Sequence, residues 1–219
     1  LIQKSIQLDP ELPHNYDFRA RYFTSHNNKK AFAAAMQNIE KAIQLDPDNQ
    51  GFLITKAQIF RKQIRHLEAL AIYKQALEKE QSEQYNDLVY SISRSYYCVG
   101  EFELAEIYIR KALEMEPDDL QFLQGLAHIQ MITGKNEAFL KTVNNMLSIK
   151  HDNLGLMGQG KAYLLLGDYA NSEKAYVQLF ALSKEKYIFY EQEKSAYAQV
   201  LRKLGKETEA MKAISEAKE

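Results

Sequence analysis

Five histidines and one cysteine are the side chains best suited to metal binding or nucleophilic chemistry: His14, His26, His66, His128, His151 and Cys98. Their spacing argues against both. No histidine stands four residues from a second ligand on one helical face, and a single thiol cannot build a multi-thiolate zinc site. Cys98 lies beside Tyr96 and Tyr97 with no neighbouring base to ionise it, so a buried or half-buried packing thiol is expected. The acidic pairs Asp118-Asp119 and Glu114-x-Glu116 fall at expected helix ends, and the first pair favours the next helix through its dipole. Gly155-Leu-Met-Gly158-Gln-Gly160 is rich in glycine, but no strand precedes it and its spacing fits neither the phosphate-loop nor the dinucleotide template. Close helix packing is the expected reason, at about 1 kcal/mol of lost helix propensity per interior glycine. No catalytic residue, metal or cofactor is predicted, and the chain is read as a non-enzyme.

The elements that would position any binding residue must therefore carry the function. The chain has 219 residues, of which 46% are hydrophobic, enough for a sizeable core. Its 29 acidic and 28 basic residues give a net charge of -1, so there is no global basic field for nucleic acid. No apolar run approaches the roughly 18–20 residues that span a bilayer. The start, Leu1-Ile-Gln-Lys-Ser5, has no signal-peptide pattern, lacks an initiator methionine and reads as mid-helix, so a fragment or processed form is expected. The single cysteine slightly favours a cytoplasmic setting.

One helical pattern recurs along the chain. Ser5, Ala42, Ala76, Ala112, Met146, Leu179 and Ala217 occupy equivalent places spaced 33 to 38 residues apart. Seven residues upstream stand Ala35, Ala69, Ala105, Phe139, Ser172 and Ala210, and four after those come Ile39, Tyr73, Ile109, Val143, Tyr176 and Ile214. A small residue followed by larger apolar ones at offsets of four and seven marks one helical face. A preceding helix in each unit carries Ala20, Ala57, Ser93, Ala127, Gly160 and Ala198, followed three residues on by Phe23, Phe60, Tyr96, Gln130, Tyr163 and Leu201. Gln130 breaks the apolar rule. Gly100, Gly134, Gly167 and Gly205 fall between paired helices, where a left-handed residue is often needed, and Pro10, Pro47 and Pro117 stop the second helices.

These residues resemble the tetratricopeptide repeat family in the small–aromatic pairs of the first helices, in Gly-x-x-x-x-Ala across the turn (Gly100 to Ala105, Gly205 to Ala210), and in the final Ala and Pro. The resemblance covers nearly the whole chain. It reads as one array over 1–219: the second helix of a truncated repeat at 1–10, then repeats at about 14–47, 50–82, 86–117, 119–151, 153–184 and 190–219. The departures are the missing early tryptophan, Ile64 where a turn glycine is usual, extra residues within Thr24–Lys30, and a lengthened connection at Ser183–Tyr187. The polar end of the last helix, with Lys212, Glu216, Lys218 and Glu219, reads as a cap. The family resemblance implies an all-α fold, a right-handed α-α superhelix of antiparallel helix pairs, with first helices lining a concave groove.

In that family the residue after each small first-helix position points into the groove. Here those residues are Arg21, Gln58, Arg94, His128, Lys161 and Gln199. Nearby expected groove positions include Arg61, Tyr90, Tyr97, Gln124 and Arg202, with Asp17, Met131 and Leu164 beside them. A basic, hydrogen-bonding ladder with tyrosines and an apolar stretch suits a protein or peptide segment bearing acidic groups. The carboxylate clamp by which some members grip heat-shock chaperones is not expected, because its places hold Asp17, Arg21, Thr55, Asp87 and Ser91. The reading is a protein-interaction scaffold. The alternatives are a regulatory or substrate-recruiting module of a larger enzyme, RNA binding of the pentatricopeptide kind, which the near-neutral charge opposes, and self-association through the repeat ends.

Overall fold

A computed structural model of the chain describes residues 2–26, 28–79, 85–182 and 190–215. The expected connection at Ser183–Tyr187 and the terminal cap residues Glu216, Ala217, Lys218 and Glu219 lie outside the described residues. Among the described residues all regular structure is helical. The helices are α1 (Ile2–Leu8), α2 (Pro13–Thr24), α3 (Lys29–Leu45), α4 (Gln50–Lys62), α5 (His66–Lys79), α6 (Tyr85–Cys98) and α7 (Phe102–Met115). They continue with α8 (Leu120–Ile132), α9 (Asn136–Ile149), α10 (Asn153–Leu166), α11 (Tyr169–Leu182), α12 (Tyr190–Lys203) and α13 (Glu207–Ser215). The chain forms two compact units, Leu1–Met115 and Glu116–Glu219.

In the first unit, α2 packs on α3, α4 on α5 and α6 on α7, and each hairpin packs on the next through α3–α4 and α5–α6. The small residues make this close approach possible. Ala20, Ala35, Ala42, Ala57, Ala69, Ala76, Ala105 and Ala112 are completely buried, and Ile39, Tyr73 and Ile109 fill the spaces beside them. Where the small residue is serine, its hydroxyl is also paired: Ser93 Oγ donates to the Ala105 carbonyl at 2.7 Å. Phe18 and Tyr22 on α2 stand 61% and 53% exposed, although the residue at the Tyr22 place in α4, Ile59, is completely buried. Ile59 gains its cover from the α2–α3 hairpin core.

The second unit repeats the arrangement with α8 on α9, α10 on α11 and α12 on α13. Ser172 Oγ donates to the Gly160 carbonyl at 2.8 Å, the counterpart of the Ser93 bond. Gln130, the exception in the apolar pattern, is buried and accepts from Thr142 Oγ1 at 2.8 Å, so its amide oxygen has a partner supplied by the facing helix. Asp119 and Asp152 cap α8 and α10 by accepting from the backbone N–H of Phe122 and Gly155.

The turns between paired helices share one geometry. Glu101, Lys135, Asp168 and Lys206 each donate their backbone N–H to a carbonyl five residues back, with a left-handed glycine just before the donor. Arg65 makes the same bond to the Phe60 carbonyl, but the left-handed residue is Ile64, at φ 62°. A β-branched residue there is strained, and Ile64 is 79% exposed, so burial does not offset the cost. Ile64→Gly is expected to stabilise the chain by about 0.5–1 kcal/mol, the relief of left-handed strain less the entropy of a freer unfolded chain. A urea titration reads this as a higher midpoint; an unchanged or lower midpoint contradicts it.

Cys98 differs from the sequence expectation: it is exposed. It is the last residue of α6, and Tyr96, three residues after Ser93, takes the buried place on that stripe. Among the described residues no group of histidine, cysteine and carboxylate side chains is arranged to hold a metal ion, and no helix is long and apolar enough to cross a membrane.

Candidate functional site

Each unit positions its candidate residues on the first helix of each hairpin, where a rigid backbone fixes their spacing. In the first unit these are Arg21 on α2, Gln58 and Arg61 on α4, and Tyr90, Arg94 and Tyr97 on α6. They do not form one uniform basic ladder. Arg21 Nε lies 2.8 Å from Asp17 Oδ2, and Asp17 is buried, so this cation is neutralised one turn away on its own helix. Tyr97 packs edge-on against Phe102 of α7, which fixes it to its own hairpin.

Arg61 and Arg94 remain, and both contribute to the electrostatics of one buried phenol. Their positive charges act electrostatically on Tyr73, a completely buried residue of α5 whose hydroxyl has no hydrogen-bond partner among the described residues. Burial holds the Tyr73 phenol above its ordinary pKa, while the two guanidinium groups pull against that shift. Arg94 also stands 5.7 Å from the centre of the Tyr90 ring. Arg61, Arg94 and Tyr90 therefore bring two cations and an aromatic face to one region of α4 and α6. Neither arginine forms an ion pair with a carboxylate among the described residues. Tyr73 was legible only as a packing residue; its sign was a phenol at a place where Ile39 and Ile109 are aliphatic.

In the second unit, Gln124 and His128 on α8 and Lys161 on α10 line a cavity of about 660 Å³. Its apolar side is built by Leu154, Met157, Leu179 and Phe180. Lys161 Nζ lies 3.0 Å from Oε1 of Glu193, which comes from α12 and is 4% exposed. None of the groove positions expected in this unit is acidic, and Glu193 lies outside that set. A signal was available. Five residues before each small first-helix position stand Asn15, Phe52, Leu88, Phe122 and Gly155, all buried, and a glutamate in that register must either find a partner or face a cavity.

Beneath Glu193 lies Tyr176, completely buried, stacked on Phe180 and tilted against Tyr197. Burial, and then the Glu193 carboxylate, hold its phenol above the ordinary value. The two groups face each other, yet neither the Tyr176 hydroxyl nor Glu193 Oε2 completes a hydrogen bond with a described group. Gln199 is exposed, and Arg202 pairs through Nε with Glu207 Oε1 at 3.1 Å; neither lines the cavity.

The sequence profile of the tetratricopeptide repeat matches residues 25–49 and 87–119. No curated protein matches in sequence. The fold is similar to that of PilW, a widely conserved type IV pilus biogenesis factor, with a TM-score of 0.75 at 18% identity over 91% of this chain and 87% of that one. A tetratricopeptide repeat protein from Parabacteroides merdae is similar with a TM-score of 0.74 at 20% identity, over 92% of this chain and 78% of that one. YrrB, described as a TPR protein with an unusual peptide-binding site, gives 0.67 at 16% identity over 84% and 93% of the two chains. Likeness at these identities is a likeness of fold.

Proposed function

We propose that this chain, a tetratricopeptide repeat protein and an interaction scaffold, holds a segment of a partner protein on the first-helix face of its hairpins and reads an acidic group there with Arg61 and Arg94. The observation that carries this reading is the contrast among the cations. Arg21, Lys161 and Arg202 are paired with Asp17, Glu193 and Glu207, whereas Arg61 and Arg94 have no carboxylate partner among the described residues and stand near the buried Tyr73 phenol, on which their charges act. A carboxylate arriving at that place gains charge-assisted hydrogen bonds from groups already positioned by two packed helices. YrrB, with its peptide-binding site, supports a segment as the class of ligand. The scaffold acts by positioning; no bond is made or broken.

The test is fluorescence anisotropy with labelled peptides that place glutamate beside apolar residues, compared with the same peptides carrying glutamine. Wild-type chain is expected to prefer the glutamate series by at least about tenfold, less so at high salt, and Arg61→Glu with Arg94→Glu is expected to abolish the preference. Equal affinity for both series, or an unchanged preference in a folded double variant, refutes the reading.

A further inference from the structure

The α4–α5 turn displays side chains unlike those of the glycine turns. At Gly100, Gly134, Gly167 and Gly205 the left-handed residue is glycine, and three residues on stand Glu103, Glu137, Ala170 and Thr208, all exposed. The α4–α5 turn places Ile64 and Leu67 there, 79% and 67% exposed. Two aliphatic side chains therefore stand in water. The first does so in a backbone conformation that strains a β-branched residue and gains no burial within the fold. Backbone strain that packing does not repay points to a functional role.

The surroundings of the pair are cationic. Lys62 closes α4, Arg65 follows Ile64, and Lys29 and Lys30 open α3; all four are exposed. The hairpins α2–α3 and α4–α5 are antiparallel and α2 packs on α4, so their turns lie on one edge of the first unit. Arg65 is occupied: its Nε lies 2.9 Å from Glu68 Oε1, and its guanidinium stands 4.4 Å from the centre of the Phe60 ring. Lys29, Lys30 and Lys62 form no ion pair among the described residues. No carboxylate occurs in the sequence from 24 to 30, and from 61 to 68 there is Glu68 alone. Glu101 and Glu103, at the α6–α7 turn, bound the cationic stretch.

An apolar tip flanked by unpaired lysines complements a surface that is negative at its boundary and apolar beneath it. The tips of neighbouring turns form an edge, and an edge meets an extended surface rather than a single side chain. We propose that this edge of the first unit docks on an anionic lipid surface, with Ile64 and Leu67 entering the headgroup boundary and Lys29, Lys30 and Lys62 meeting the lipid anions. The long lysine stems let the ammonium groups stay at headgroup level while the aliphatic pair goes deeper. The contact is peripheral and weakens with salt. It uses neither Arg61 nor Arg94, and so goes beyond the reading of the chain as a binder of protein segments.

The test is co-sedimentation of the full chain with vesicles of phosphatidylcholine alone and with about 30% phosphatidylserine. The wild-type chain is expected to bind the anionic vesicles at least about tenfold more tightly. Lys29→Glu with Lys30→Glu and Lys62→Glu is expected to abolish that preference. Ile64→Gly is expected to weaken binding about tenfold, although the same change stabilises the fold, so a loss of binding is not a loss of structure. The chain contains no tryptophan, so Leu67→Trp reports its own environment. Its emission is expected to shift to the blue on anionic vesicles, whereas Thr208→Trp, at the matching place of the α12–α13 turn, stays unshifted. Equal binding to both vesicles, no binding at about 1 mM lipid, or unchanged binding of Ile64→Gly overturns the proposal. Self-association of the chain without lipid that Ile64→Gly abolishes overturns it too, because a second copy then covers the pair.

Discussion

Gly160→Ala is expected to destabilise the chain by about 2 kcal/mol, although alanine is the better helix former. An added Cβ would stand 2.9 to 3.1 Å from Cε2, Cζ and Cδ2 of Tyr176, closer than such atoms pack. These are three atoms of one rigid ring, so the whole ring must move. It is completely buried and held by Phe180, whose ring centre lies 6.2 Å away, and by Tyr197 at 5.8 Å. Overpacking of this kind costs up to about 3 kcal/mol, and the gain in helix propensity returns about 1, so strain wins. Gly51 gives the opposite sign. Its added Cβ would meet only Asn49 Oδ1, at 3.1 Å, the end of a side chain that can turn away, so Gly51→Ala is expected to stabilise by no more than about 1 kcal/mol. Urea titrations of both variants check the pair. Combining Gly160→Ala with Tyr176→Leu should recover part of the loss, and strict additivity of the two changes would contradict the ring-clash account.

Thr142→Val is expected to cost about 2 kcal/mol while barely changing the volume of the side chain. Thr142 Oγ1 donates to Gln130 Oε1 at 2.8 Å, and both residues are buried. Valine removes the donor and leaves the amide oxygen shut away from water. The asymmetry of buried hydrogen bonds makes a specific second prediction: replacing both partners, with Gln130→Leu added, should recover most of the loss, because no polar atom is then stranded. A double variant as unstable as the sum of the two single changes would show that Gln130 has another, unreplaced role. The measurement is again the denaturant midpoint at constant slope.

The helices were legible because a stacked hairpin must repeat the same small and large residues at the same places to pack at all. Ala35, Ala69, Ala105 and Ala210 were recognisable as contact points, and all four are completely buried. Gln130 stood out in the sequence as an exception, but its resolution did not, since Thr142 lies on a different helix with no pattern to announce it. Cys98 was misplaced because adjacency to Tyr96 and Tyr97 in sequence says little about which side of a helix faces the core.

The binding residues divide in the same way. Their helices and register followed from periodicity: Arg61, Arg94 and Lys161 stand on first helices as expected. Their electrostatic state did not follow, because a charge is neutralised by whatever the fold places within a few ångströms of it. Arg21 has its carboxylate four residues away at Asp17, a pairing within reach of helical reasoning. Lys161 has its partner at Glu193, on the next hairpin. The cavity, too, exists only where α8, α10, α11 and α12 meet. Sequence by itself determined the repeated helical hairpin and the residues that pack it, because that information is local and periodic. The tertiary structure alone decided which cations are balanced and which carboxylate oxygen lacks a donor, because those depend on distances between helices that the one-dimensional pattern does not contain.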